Sequence, residues 1–263
     1  METRVGKKGL SHKKNLISLI NKAAYMQSTW TVFSDFLEMS AVAISNAAVT
    51  KDEVREKRYF EAIEKYRKQE LDLFPEMLGE LVEALEEDPT DILGEVFQEM
   101  ELSSKWHGQF FTPMSICRAM GEMMIPGLKQ TIEEKGFATV SEPACGGGAM
   151  IIGLAQAMKA AGLNPQEQII VTAVDVDLKA VHMTYLQLSL LGIPAVVVHG
   201  NTLLVQEWSR WYTPMYVWGV WSLRKRLRRL GETVKPEIIQ TEEIKASDVI
   251  CEQLNLFDMV GGL

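Results

Sequence analysis

The stretch from Phe137 to Val198 constrains the fold more than any other part of the chain. Phe137-Ala138-Thr139-Val140 is a short apolar run that leads into a glycine-rich turn, Glu142-Pro143-Ala144-Cys145-Gly146-Gly147-Gly148-Ala149-Met150. Ala149 to Ala161 repeats at helical spacing, and Gln168 to Val174 is strongly β-prone and closes on Asp175 and Asp177. Lys179 to Leu191 is helical again with Gly192 as its stop, and Ala195 to Val198 reads as a third strand. Strand, helix, strand, helix, strand predicts a parallel sheet with right-handed crossovers.

Upstream, the pattern is helical. Residues 1–10, with Gly6-Lys7-Lys8-Gly9 ahead of Lys13-Lys14, read as a mobile basic arm. Leu16, Ile20, Ala23, Trp30, Phe33, Leu37, Ala41 and Ile44 recur at helical spacing. Thr50 with Glu53 three residues on resembles a capping box opening a charged helix through Lys68. Phe74 to Glu86, ended before Pro89, and Asp91 to Met100 complete this part. The expected division is a helical domain over 1–105, an α/β domain over 106–222, and a basic segment with a C-terminal tail over 223–263.

The 263 residues, 47% hydrophobic, suffice for one sizeable core or a core with a small accessory domain. A net charge of -8 excludes a whole-molecule basic field, so any nucleic acid must be held by local patches. Cys117, Cys145 and Cys251 form no CxxC pair and have no histidine cluster beside them, which argues against a disulfide framework or a metal site. The polar start and the lack of a long apolar run predict a soluble, cytoplasmic protein without a membrane span.

A turn of small residues lets backbone N–H groups approach a ligand, and the helix behind it adds unsatisfied donors. A carboxylate ending the next strand accepts the two hydroxyls of a ribose. Asp175 stands in that place, with Asp177 as the alternative.

Glu142 to Gly148 resembles the S-adenosylmethionine (AdoMet) motif of the N-6 adenine DNA methylase family, particularly the modification subunits of type I restriction systems. Gly108-Gln109-Phe110-Phe111-Thr112-Pro113 resembles the second signature of that family, and Asp91 to Phe97 the end of its helical domain. The resemblance runs from about Asp91 to Leu203. It implies a Rossmann-like AdoMet-dependent methyltransferase sheet behind a helical N-terminal domain. It further implies that Phe111 and Thr112 contact the methionine part, that Glu142, Ala144 and Gly146 line the cradle, and that Asp175 holds the ribose. Gly200-Asn201-Thr202-Leu203 is similar to a segment whose acid faces the adenine amine; Asn201 takes that place with a donor and an acceptor but no charge.

Chemistry in this family needs an Asn-Pro-Pro-aromatic motif that clamps and stacks a flipped adenine. The chain has none. Tyr212-Thr213-Pro214-Met215-Tyr216 is the nearest segment, with Thr213 and Pro214 in the clamp and Tyr216 as stacking ring; packing is the competing role for these aromatics. Only about 47 residues follow Tyr216, so a shortened or altered C-terminal half is expected. Arg224 to Arg229, near Trp and Tyr residues, reads as a phosphate grip or as a solvated helix face. Gln253-Leu254-Asn255-Leu256-Phe257 resembles the peptide that docks on replication sliding clamps, and reads equally as a packed terminal element. The functional expectation is an adenine-specific DNA methyltransferase of the restriction-modification kind, with DNA and a methylase or specificity subunit as partners. The alternative is a catalytically inactive relative that binds DNA or a partner.

Overall fold

A computed structural model describes residues 4–49, 51–101 and 112–219, together with Trp221 and Arg224. Thr50, Gly108 to Phe111, Lys225 to Arg229 and Gln253 to Phe257 lie outside the described residues.

The N-terminal part is helical throughout. Helix α1 (Arg4–Ala23) already covers most of the stretch expected to be a mobile arm. Extending a helix costs far less than nucleating one, and Leu16, Ile20 and Ala23 anchor it in the core. Helix α2 (Thr29–Ala48) starts afresh because Ser28, in extended conformation, caps it by accepting from the Thr31 amide. Helix α3 (Glu53–Ile63) is capped by Asp52, which accepts from Val54 and Arg55, rather than by the expected Thr50 box. It stops at Ile63, and α4 (Lys68–Leu71), α5 (Leu73–Glu87) and α6 (Ile92–Glu101) follow.

The longest helix among the described residues, α7 (Met114–Lys135), is not legible in the sequence: Gly121, Gly127 and an internal Pro126 blur its periodicity. It is followed by β1 (Ala138–Glu142), α8 (Ala149–Ala160), α9 (Pro165–Gln168), β2 (Ile169–Asp175), α10 (Leu178–Leu190) and β3 (Ala195–Asn201). β1, β2 and β3 are parallel neighbours, as the alternation predicts. The chain then doubles back through a hairpin into β4 (Gln206–Tyr212), antiparallel to β3, and ends its described course in α11 (Pro214–Trp218). The sheet order is β1-β2-β3-β4, so β1 has a strand on one side only among the described residues.

Alternation along the strands fills two cores. Ala138, Val171, Ala173, Ala195 and Val197 face one way and merge with α8, α10 and the N-terminal helices into a single cluster reaching back to Leu16. The helical part therefore has no separate core. Ile170, Val196 and Val198 face the other way, beneath Phe137, Tyr216 and Trp221. The tightest helix contact is α7 on α8. A Cβ on Gly153 would lie 2.7 Å from the Cys117 carbonyl carbon, and one on Gly121 would lie 2.9 Å from the Leu154 Cα. These glycines let the two backbones nearly touch. No described helix is long and apolar enough to cross a membrane.

Candidate cofactor site

The carboxyl edge of the sheet collects Glu142, Asp175 and Asn201 from the ends of β1, β2 and β3. The turn after β1 bends through two left-handed glycines, Gly146 (φ 54°) and Gly148 (φ 97°), a conformation costly to any side chain. Each of its peptides is tied. The Cys145 amide donates to the Val174 carbonyl at 2.9 Å, so β2 aligns the turn. Gly146 donates to one oxygen of Asp175 at 2.9 Å, and Thr184 of α10 donates to the Gly146 carbonyl at 2.8 Å. The Gly148 amide closes the turn on the Cys145 carbonyl at 2.8 Å. A trans peptide sets C=O and N–H on opposite sides, so drawing the Gly146 carbonyl to α10 turns the Gly147 amide away from that helix. Helix α8 begins at Gly148 without a side-chain cap and without an acid in its first turn, which keeps its N-terminal field positive.

Asp175 spends one lone pair of each oxygen on this scaffold: the second oxygen accepts from the Asp177 amide at 2.9 Å. A carboxylate oxygen has two such sites, so both retain one for a pair of hydroxyls. Asp177 is committed differently, as N-cap of α10 through the Lys179 amide. Glu142 folds back to accept from the Ala144 amide at 3.2 Å. Asn201 accepts from the Leu204 amide through its Oδ1 at 3.1 Å. Thr202 donates to the Pro143 carbonyl at 2.8 Å, so the β3–β4 hairpin reaches across to the β1 turn. The thiol of Cys145, in the middle of the turn, is pushed up to about 12 by burial and stays protonated.

Thr112 joins this edge through helix packing. Gly153 meets Cys117 and Gly121 meets Ala157, so α7 and α8 run parallel in near register. Thr112, just before α7, is thereby level with the start of α8, and its carbonyl accepts from the Cys117 thiol at 3.5 Å. Phe111 lies outside the described residues.

Thr213, Pro214 and Tyr216 stand elsewhere. β4 runs antiparallel, so its end returns the chain to the amino edge of β3. There Thr213 donates its amide to the Ala195 carbonyl at 3.0 Å. Its hydroxyl accepts from the Ala195 amide and donates to the Ile193 carbonyl, both at 2.9 Å. Six residues of strand separate Ala195 from Asn201, about 20 Å at the rise of an extended chain. Tyr216 is buried in the second core rather than open to a base. The structure therefore brings Thr112, Glu142, Ala144, Gly146, Asp175 and Asn201 together, and does not bring Thr213, Pro214 and Tyr216 to them.

Two residues that the sequence reading missed complete the site from behind, Asp91 and Gln187. Both are buried polar side chains, and Gln187 donates to the Gly147 carbonyl at 2.7 Å. Their signal was an acid at the start of an apolar helical segment and one polar residue among the apolar positions of α10. Among the described residues there is no cluster of three metal-ligating side chains.

A glycine turn, a strand-end acid and an uncapped helix on a mostly parallel four-stranded sheet define the class: a Rossmann-like α/β sheet behind a helical N-terminal region. Residues 90–217 match the model of the N-6 DNA Methylase family. Among solved structures, it is similar to a class I S-adenosylmethionine-dependent methyltransferase from Listeria monocytogenes (16% identity, TM-score 0.39, 73% of this chain and 54% of that one). It is also similar to a type I restriction-modification system methyltransferase subunit from Streptococcus thermophilus (12% identity, TM-score 0.39, 77% of this chain and 60% of that one). The chain thus spans little more than half the length of these two structures. No curated protein matches it.

Proposed function

We propose that this chain binds AdoMet at the carboxyl edge of its sheet and serves in methylation of DNA at the N-6 amine of adenine. The observation that carries the reading is the glycine turn locked to Asp175, which leaves each carboxylate oxygen one open lone pair, ahead of the uncapped helix α8. Asp175 would take the ribose hydroxyls. Gly146, Ala144 and Glu142 would line the cradle, and Asn201 would donate to the adenine ring. Thr112, with Phe111 beside it in sequence, would border the methionine end. When bound, AdoMet supplies an electrophilic methyl group on a sulfonium. The residues of this chain orient that ligand and screen its charge with backbone and carboxylate dipoles.

The position of Thr213, Pro214 and Tyr216 favours a second reading alongside the first. A clamp about 20 Å from the cofactor edge cannot position an acceptor amine. The same chain then holds the cofactor while another methylase or specificity subunit presents the adenine, or it binds DNA or a partner without transferring the methyl group. The division at 105/106 is proposed as one of roles within a shared core, and the boundary at 222/223 lies outside the described residues. The setting that goes with either reading is cytoplasmic.

The test is incubation of the full chain with methyl-labelled AdoMet and mixed-sequence DNA, followed by digestion to identify the modified base. Label in N-6-methyladenine supports the first reading. Saturable AdoMet binding without transfer supports the second, and no AdoMet binding removes the first and leaves only the DNA- or partner-binding form of the second.

A further inference from the structure

We propose that Asp91 and Gln187 are positioning residues that hold the cofactor turn in its binding shape and couple it to the helical N-terminal region. The proposal rests on the AdoMet reading of the site and adds to it the machinery behind the turn.

Three elements meet at these two side chains. Asp91 precedes α6 and caps it, its Oδ1 accepting from the Gly94 amide at 2.9 Å. Gln187 lies on α10, one turn after Thr184. Its Nε2 donates to Asp91 Oδ1 at 2.8 Å and to the Gly147 carbonyl at 2.7 Å, while its Oε1 accepts from the Leu93 amide at 3.1 Å. Two acceptors on one side and a donor on the other fix the orientation of the amide. Asp91 is 3% exposed and Gln187 is fully buried, so water cannot substitute for any of these bonds.

Space is as tightly used as polarity. A Cβ on Gly147 would lie 2.5 Å from Asp91 Oδ1, and one on Gly94 would lie 2.1 Å from Asp91 Oδ2. The carboxyl group is thus wedged between the cofactor turn and the first turn of α6. Thr184 and Gln187 together grip two successive carbonyls of the turn, those of Gly146 and Gly147. The turn cannot shift without breaking a buried bond to α10, and α6 cannot shift without moving the same amide. Gln156 of α8 adds a parallel tie, donating to the Pro89 carbonyl at 2.8 Å. Occupancy of the cradle is therefore communicated to the segment around Asp91, which makes no contact with the ligand in this reading.

The experiment measures AdoMet affinity by calorimetry and backbone hydrogen exchange of residues 89–97, in the full chain, with and without AdoMet. Wild type is expected to bind and to slow exchange over 89–97. Gln187→Leu, close in volume, is expected to bind at least tenfold more weakly and to lose that slowing. Asp91→Asn, which keeps the Oδ1 acceptor, is expected to stay within threefold of wild type. If Gln187→Leu does not fold, Gly147→Ala replaces it: the added methyl should weaken binding at least tenfold, and Asp91→Ala in the same chain should restore part of it. Wild-type binding together with unchanged affinity in folded Gln187→Leu, or no relief of Gly147→Ala by Asp91→Ala, overturns the coupling alone. Absence of AdoMet binding by wild type overturns the site assignment itself, and the coupling with it.

Discussion

Gly146 donates its amide to the carboxylate of Asp175, across 29 positions of sequence, and this single bond joins the two halves of the proposed cofactor site. The acid thus shapes the cradle before it meets any ligand. Asp175→Asn removes the charge and turns one of the two acceptor oxygens, each of which takes a backbone amide, into an NH₂ donor. At about 1.5–3 kcal/mol for a hydrogen bond to a charged group, AdoMet affinity should fall roughly 10- to 100-fold. Calorimetric titration checks this, and an unchanged affinity removes Asp175 from the site.

Thr213 is expected to act on stability and not on the cofactor. Thr213→Val removes the hydroxyl that serves the Ala195 amide and the Ile193 carbonyl, both at the amino edge of β3. Leaving those groups without a partner should cost about 1–3 kcal/mol. Urea unfolding should show that loss while the AdoMet affinity of the folded protein stays within twofold. A variant that keeps its stability and loses cofactor binding would contradict the geometry.

His182 should give the protein an acid-sensitive limb. It is buried on α10 with its ring edge-on to Trp211, centroids 4.8 Å apart. Desolvation first, then the charges of Arg58, Arg55 and His199, push its pKa down to about 3. An imidazole depressed in the folded state contributes stability that is fully present above its unfolded pKa of about 6.5 and is lost as pH falls through the folded value. Stability should therefore decline between about pH 6.5 and 3, and His182→Phe should flatten that slope. Urea midpoints at pH 7 and 4.5 decide it; equal slopes in both proteins reject the assignment.

The α7–α8 crossing should tolerate no methyl group. Gly153→Ala would set a Cβ 2.7 Å from the Cys117 backbone, forcing the helices apart at a cost of about 1–3 kcal/mol. Gly79, inside α5 with nothing within 4 Å of its Cβ position, is the contrasting site. Gly79→Ala should stabilise by about 0.5–1 kcal/mol through helix propensity and backbone entropy. Thermal melts of the two variants should move in opposite directions.

The sequence by itself determined the strand–turn–helix alternation from Phe137 to Val198, the glycine turn and the acid at Asp175. These are local: a left-handed turn needs glycine, a buried parallel strand needs an unbroken apolar run, and both are read within a dozen residues. Only the tertiary structure decided the direction of β4, and with it the separation of Tyr216 from Asn201 by the length of the sheet. A strand carries its residue pattern equally well in either direction, so nothing in Trp208 to Tyr212 records which edge receives Thr213. The roles of Asp91 and Gln187 were also decided in three dimensions. They lie 96 positions apart and bond only because α6, α10 and the glycine turn converge on one buried point.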